Sequence, residues 1–302
     1  MIKQSTFSET GFVSDEVRNR LQKSKEDMRD ELFLINNINE ILMRITAEIP
    51  SGKEQKNSIA SILSYRFLQS LQASIILCEY RFRAELFTII RSMQETYLAL
   101  ALALKNDELF ELMCWKDEKR FKDNLLEYIK SSSIIAKAYK NIFEEGDKAK
   151  IDREMQYIRR LKKSGLTLKT SKKEIPNISP SDMFDKTKDE EYSQQVYLYY
   201  KKSSNLYAHV SLNSILLHYD VNDTGRQLVF TGANKMEIRS AIRDAVLTAI
   251  FFADKIDVNF LNNENQKILV PYAQKAISKF LEWGVTQKAS QSFYEKFSQK
   301  KG

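Results

Sequence analysis

Four polar residues are the part of this sequence best suited to chemistry, because a helix would bring them onto one face. Intervals of three or four residues separate Lys202, Asn205, His209 and Asn213. At about 100° per residue, such intervals place the four side chains along a single stripe. His209 is one of only two histidines in the chain, and imidazole is the side chain that most readily exchanges a proton near neutral pH. The stripe predicts either a small reaction site or an internally hydrogen-bonded helix face.

Metal-based and cofactor-based chemistry has little support in the sequence. His209 and His218 are nine residues apart, which points them to opposite sides of a straight helix and prevents them from sharing one zinc ion. Cys78 and Cys114 lack Cys-x-x-Cys spacing, so we expect neither a thiolate metal site nor a disulfide. Glycine-rich phosphate loops and Gly-x-Ser-x-Gly elbows are absent from the sequence. We therefore predict no metal and no cofactor. A magnesium site made of carboxylates alone is left open by the 40 acidic residues, but no compact acidic cluster in the sequence marks one.

RNA cleavage without a metal is a reaction that the stripe can still support. It requires a base for the 2′-hydroxyl, an acid for the leaving oxygen and cations for the charge that develops on the phosphate. In this interpretation Lys202 is the cation, His209 is the acid or base, and Asn205 is a supporting amide. The alternative is that His209 is a structural histidine, hydrogen-bonded within a core or an interface.

A second pair of charges lies in the strongly apolar segment 83–105. Arg91 and Glu95 are four residues apart and are therefore neighbours on one helix face. Buried charges are costly unless they are paired, so an internal ion pair is one interpretation. The other is that Arg91 and Glu95 reach the His209 stripe, where they would fix the imidazole tautomer or bind a phosphate.

The strongest electrostatic signal is the segment 159–173, which contains seven cations and no acid. These cations are Arg159, Arg160, Lys162, Lys163, Lys169, Lys172 and Lys173. Such a segment predicts a docking surface for RNA or another polyanion, with a salt-sensitive affinity. A solvated basic loop is the alternative interpretation.

The elements that must position these residues are helices. Eight Gly and four Pro are few for 302 residues, and apolar residues recur at helical spacing along most of the chain. We predict an all-α, multi-helix bundle with at most one short β-hairpin, near Val221 to Phe230. The predicted helices cover residues 14–49, 56–80, 83–105, 107–130, 131–163 as a helix pair or one bent helix with a break at Gly146, 188–218, 236–262, and part of 264–284 with Pro271 near a boundary.

Three parts of the chain are expected from this pattern. They are an N-terminal helix (1–54), a helical bundle core that carries the motif helices (55–220), and a short hairpin with C-terminal helices packed on the core (221–302). The net charge of +7 favours encounters with polyanions. The N-terminal sequence lacks a signal-peptide pattern, and the longest apolar runs are too short to cross a bilayer. We expect a cytoplasmic protein that does not enter the membrane.

The segments 80–95 and 199–209 together resemble the two signature helices of a bacterial family of unknown function, DUF5677. The family pattern is Arg-x-x-x-Glu on one helix and, much later, an aromatic residue with Arg or Lys, then Ser, then His. The resemblance extends over roughly residues 55–220, and it places Arg91 and Glu95 in the first element and Lys202, Ser203 and His209 in the second.

That family is in turn similar to the HEPN superfamily of helical bundles, which includes metal-independent ribonucleases of toxin and phage-defence systems. These enzymes use Arg, four to six further residues, and His, and the interval from Lys202 to His209 matches the longest of these spacings. Lys202 departs from the usual Arg, and Ser203 stands where Asn, Asp or His is usual. The resemblance implies a homodimer in which the two motif helices face each other across a shared cleft.

Two functions follow as expectations. The first is a HEPN-like, metal-independent endoribonuclease or RNA-targeting toxin or phage-defence protein, whose site contains His209, Lys202, Asn205, Arg91 and Glu95. The second is a non-catalytic helical interaction or sensor module of a defence system, with a protein partner. A structural bundle with an internal polar stripe is a third interpretation.

Overall fold

The computed structural model describes residues 22–23, 25–50, 55–131, 140–167, 175–206, 219–222, 225–228 and 235–286. Its helices are α1 (Arg29–Ala47), α2 (Gln55–Glu79), α3 (Arg83–Lys105), α4 (Asp107–Ser131), α5 (Lys140–Lys163), α6 (Pro180–Thr187), α7 (Ser193–Leu206), α8 (Lys235–Phe260) and α9 (Gln266–Glu282). The strands β1 (Tyr219–Asn222) and β2 (Gly225–Leu228) pair antiparallel. The prediction of an all-α protein with one short hairpin is confirmed.

The structure differs from the prediction at Gly146, at Pro271 and at the start of α7. Gly146 lies inside the continuous helix α5, since one glycine costs a helix only about 1 kcal/mol relative to alanine. Pro271 lies inside α9, not at its end. The motif helix α7 begins at Ser193, after Tyr192 adopts a left-handed φ of 67°, and residues 180–187 form the separate helix α6. The predicted start near residue 14 lies outside the described residues.

The cap of α6 shows how the local sequence sets a helix start. The Ser179 side chain accepts a hydrogen bond from the backbone N–H of Asp182 at 3.1 Å, and Pro180 occupies the first turn. Both features are favoured at helix N-termini, because a serine oxygen satisfies a free backbone donor and proline needs no partner for its nitrogen.

The described residues form two compact units. One unit comprises those up to Tyr97 together with those from Gln194 onward, and the other comprises residues 98–193. The boundary passes through helix α3. The predicted domain limits at residues 54 and 220 stay a prediction.

Helix α8 is central to the first unit, where it packs against α1, α2 and α9. Its apolar residues from Ile238 to Ile256 are buried, and Phe252 stacks on Phe67 of α2 with ring centroids 4.1 Å apart. The Tyr272 hydroxyl of α9 donates to the Leu34 carbonyl of α1 at 2.8 Å. This core fixes α8 firmly, which matters because α8 also carries charged residues of the candidate site.

In the second unit, α4 and α5 form an antiparallel pair joined by ion pairs. Lys119 contacts Glu154 at 2.6 Å, and Asp123 contacts Arg153 at 3.0 Å. Burial alone would raise the pKa of Asp123, but its hydrogen bonds from Arg153 and Lys119 outweigh this effect and lower that pKa. None of the helices in the described ranges combines the length and apolar character needed to span a lipid bilayer.

Candidate functional site

Helices α3 and α7, which carry the two predicted motif segments, are in contact within the first unit. The Arg91 Nη2 atom of α3 donates to the Tyr200 hydroxyl of α7 at 3.4 Å. The Arg91 guanidinium also lies 5.3 Å from the centre of the Tyr200 ring, and Lys202 Nζ lies 5.8 Å from the centre of the Phe87 ring. These distances are within the range of cation–π attraction. The fold therefore brings together two segments that are more than a hundred residues apart in sequence.

Arg91 and Glu95 form a direct ion pair along α3. The Arg91 Nε atom donates to Glu95 Oε1 at 3.0 Å, and the two side chains are 23% and 29% exposed. No hydrogen bond or ion pair joins either of them to Lys202, and all three are described residues. The pair is thus half-buried beside α7, in agreement with the interpretation of a paired charge. Whether Glu95 or Arg91 reaches His209 stays a prediction.

Lys202 is held by helix α8. Its ammonium donates to the Ser240 hydroxyl at 3.1 Å and to Asp244 Oδ2 at 3.3 Å. Asp244 is fully buried, whereas the Lys202 side chain is 34% exposed. The lysine therefore has its inner side fixed by a carboxylate and a hydroxyl, while part of it remains in contact with solvent.

Arg243 binds the other oxygen of the same carboxylate. Its Nε and Nη2 atoms donate to Asp244 Oδ1 at 2.8 and 2.5 Å, its Nη1 donates to the Val285 carbonyl, and its guanidinium lies 5.6 Å from the Tyr199 ring centre. The Arg243 side chain is 16% exposed. Two cations and one carboxylate give this cluster of Lys202, Arg243 and Asp244 a formal charge of +1.

The remaining stripe residues lie at or beyond the end of α7. The backbone of Asn205 belongs to that helix, which ends at Leu206. His209, like His218, lies outside the described residues. The direction of the Asn205 amide and the position of the His209 imidazole relative to Lys202 therefore stay predictions.

The basic segment is described only as far as Thr167. Arg160 forms an ion pair with Glu111 and lies 4.0 Å from the centre of the Trp115 ring. Its positive charge is therefore paired within the second unit. Arg159, Lys162 and Lys163 are exposed at the end of α5. Lys169, Lys172 and Lys173 lie outside the described residues. A role for this segment in binding RNA stays a prediction.

The two cysteines are free thiols in different environments. Cys78 is buried, and burial raises the pKa of its thiol far above the ordinary value. Burial, with a smaller contribution from the Asp117 charge, raises the pKa of Cys114 to about 11. Both thiols are thus poor nucleophiles at neutral pH. Across the described ranges, histidine, cysteine and carboxylate side chains do not gather into a group that could hold a metal ion.

Sequence reasoning missed Ser240, Arg243 and Asp244. A signal was present, since Arg243 and Asp244 are adjacent charges at the start of the apolar run from Ala245 to Ala253. Charges inside an apolar helix require partners, as Arg91 and Glu95 do in the apolar helix α3. What the sequence did not reveal is that Asp244 also pairs with Lys202, forty-two residues earlier.

The fold and the site together define an all-α protein with a charged cluster that joins its motif helix α7 to α8. The model of a family of unknown function (DUF5677) matches residues 57–227, and the chain belongs to this family. A comparison with curated proteins found no match, and a comparison with solved structures found none. The matched range includes α3 and α7, whereas Ser240, Arg243 and Asp244 lie beyond it.

Proposed function

We propose that this protein is a HEPN-like, metal-independent endoribonuclease that acts on RNA in the cytoplasm as a toxin or phage-defence protein. One observation carries the proposal: the two segments of the resemblance, on α3 and α7, are in contact through Arg91 and Tyr200. A site assembled from both helices needs this contact. The proposed functional form is a homodimer with the motif helices facing each other.

Each residue of the proposed site has a role in one transesterification. A base removes the proton of the 2′-hydroxyl, the 2′-oxygen bonds to phosphorus, and the 5′-oxygen leaves after it receives a proton. His209 serves as the acid or base, Lys202 binds a phosphate oxygen, and Asn205 supports the phosphate. Arg91 and Glu95 fix the site from α3. The products are a 2′,3′-cyclic phosphate and a 5′-hydroxyl end.

The decisive experiment incubates the purified protein with RNA in EDTA. The wild type should produce 2′,3′-cyclic phosphate ends, and His209→Ala should lower the rate at least about 100-fold, because general acid–base catalysis contributes that much. His218→Ala is the matched control, since it removes the other histidine, and it should retain most activity. No cleavage by the wild type, or undiminished cleavage by His209→Ala, would overturn the proposal.

A non-catalytic interaction or sensor module of a defence system is the second candidate. The observation that favours it is the engagement of Lys202 with the fully buried Asp244, because ion clusters of this kind also serve as structural contacts. This function predicts that RNA stays intact and that a protein of the defence system co-purifies with the chain. In that case Lys202→Gln should lower thermal stability and leave no other defect.

A further inference from the structure

We propose that Lys202, Arg243 and Asp244 form a binding site for one phosphate group of RNA, in which Lys202 donates to the phosphate and Asp244 is a positioning residue. Ser240 assists by accepting from the lysine. This inference rests on the proposed function for the choice of RNA, and it assigns roles to three α8 residues that lie outside the family match. Binding can be measured without cleavage, so the two proposals can fail separately.

The geometry around Lys202 favours an anion at this position. The Lys202 ammonium has three N–H groups, and Ser240 at 3.1 Å and Asp244 at 3.3 Å account for two of them. The third has no hydrogen-bond acceptor among the described residues, although the ammonium also lies 5.8 Å from the centre of the Phe87 ring, and the side chain is 34% exposed. A lysine of four rotatable carbons is normally mobile, and fixing its inner side lowers the entropy that must be lost when an anion binds.

The formal charge of the cluster also favours a phosphate. A lysine paired with a single aspartate is formally neutral and would attract a phosphate weakly. Arg243 changes this, because it binds Oδ1 of Asp244 while Lys202 binds Oδ2. The carboxylate is shared between two cations, and the cluster retains a charge of +1. Since Asp244 is completely buried, the cationic groups, and not the carboxylate, meet the solvent.

A neighbouring cluster on α8 has a similar composition but different contacts. Arg239, one turn before Arg243, donates to Glu31 at 2.7 Å, and Lys235 lies 3.5 Å from the same carboxylate. Glu31 is also buried, with 1% of its side chain exposed. Buried acids thus anchor successive cations of α8, and among the described contacts only the Asp244 cluster includes a residue of the motif helix α7. The proposed phosphate site therefore shares Lys202 with the proposed reaction site.

The test measures binding of a fluorescein-labelled 2′-O-methyl oligoribonucleotide, which cannot undergo the transesterification. Lys202→Gln and Arg243→Gln should each weaken binding about tenfold, as expected for one charge-assisted interaction. Lys202→Gln should also reduce the slope of log affinity against log salt by about 0.7, the value for one contact with a single strand. Lys267→Gln, an exposed cation at the start of α9 without a described partner, is the matched control and should bind normally.

Asp244→Asn separates a binding site from a folding defect. Asparagine has the shape of aspartate and keeps one acceptor oxygen, so it can still position a cation. It removes a negative charge and raises the formal charge of the cluster from +1 to +2, so binding should tighten several-fold even if the protein becomes less stable. Arg243→Gln breaks the same ion pair but should weaken binding. Damage to the fold would weaken binding in both variants, and that outcome would overturn the proposal.

A second measurement uses inorganic phosphate as a competitor of the labelled oligonucleotide. It should compete with the oligonucleotide for the wild type and should compete less well after Lys202→Gln. Equal oligonucleotide affinity in the wild type, Lys202→Gln and Arg243→Gln would overturn the site, as would the absence of any binding. Specific binding together with intact cleavable RNA would refute the proposed ribonuclease and leave the phosphate site standing.

Discussion

At the scale of single residues, the two thiols differ in how burial controls their chemistry. A pKa of about 11 for Cys114 leaves only about a thousandth of this thiol ionised at pH 8. Because the thiolate is the reactive form, a disulfide reagent should modify native Cys114 roughly 100-fold more slowly than a cysteine of ordinary pKa. The rate should rise about tenfold per pH unit from pH 8 to 10.

The measurement follows reaction with an aromatic disulfide reagent in the Cys114→Ser variant and the wild type. The variant retains only Cys78, which is completely buried and should react only when the protein opens. In guanidinium chloride both thiols should react at once. Rapid modification of native Cys114 at pH 8 would contradict the described burial.

The sequence allowed contacts within one helix of the candidate site to be predicted, but not contacts between helices. The helical spacing of Arg91 and Glu95 correctly indicated an ion pair, because both partners lie on one helix. The pairing of Lys202 with Asp244 was not predictable, since it depends on how α7 packs on α8. Spacing within one helix specifies a face, but it does not specify which distant helix covers that face.

At the scale of elements, helix α5 shows a packing constraint that its sequence did not reveal. A Cβ added to Gly146 would lie 2.8 Å from Leu126 Cδ1 of α4, so the glycine permits close contact between the helices. Alanine is favoured over glycine in a helix by about 1 kcal/mol, and this gain opposes the cost of moving the leucine. We expect Gly146→Ala alone to change the free energy of unfolding little.

A double-mutant cycle separates these two contributions. In a Leu126→Ala background the obstructing methyl is absent, so Gly146→Ala should stabilise the protein by about 1 kcal/mol, as measured by urea unfolding. The same gain in the free energy of unfolding in both backgrounds would show that Leu126 does not hinder a larger side chain at position 146. A loss in both backgrounds would contradict the continuous helix.

The type of each element was easier to predict than its limits. Apolar spacing predicted α2, α3 and α4 within one residue at each end, because these helices are long and apolar residues recur through them at helical spacing. The start of α7 was missed because a tyrosine, Tyr192, takes the left-handed conformation that glycine or asparagine usually signals. At Gly146 the prediction of a helix break was wrong because the glycine allows α4 and α5 to pack closely and does not end the helix.

At the scale of the whole molecule, the net charge of +7 bears on the proposed homodimer. Two copies that bring their motif helices together also bring together two clusters of charge +1, and the resulting repulsion opposes association at low salt. Counterions screen this repulsion. We therefore predict that the dimer becomes more stable as ionic strength rises, in contrast to RNA binding, which should weaken.

Sedimentation velocity across a range of sodium chloride concentrations checks this prediction. The chain has a mass of 35.2 kDa, and twice that mass should become more populated as salt increases. At equal ionic strength, phosphate should favour the dimer more than chloride does, because a phosphate bound at the Lys202 and Arg243 cluster neutralises the charge that opposes association. Arg243→Gln should remove this preference for phosphate while retaining the general effect of salt. A monomer at every protein and salt concentration would contradict the dimer and would require each copy to complete its proposed reaction site alone.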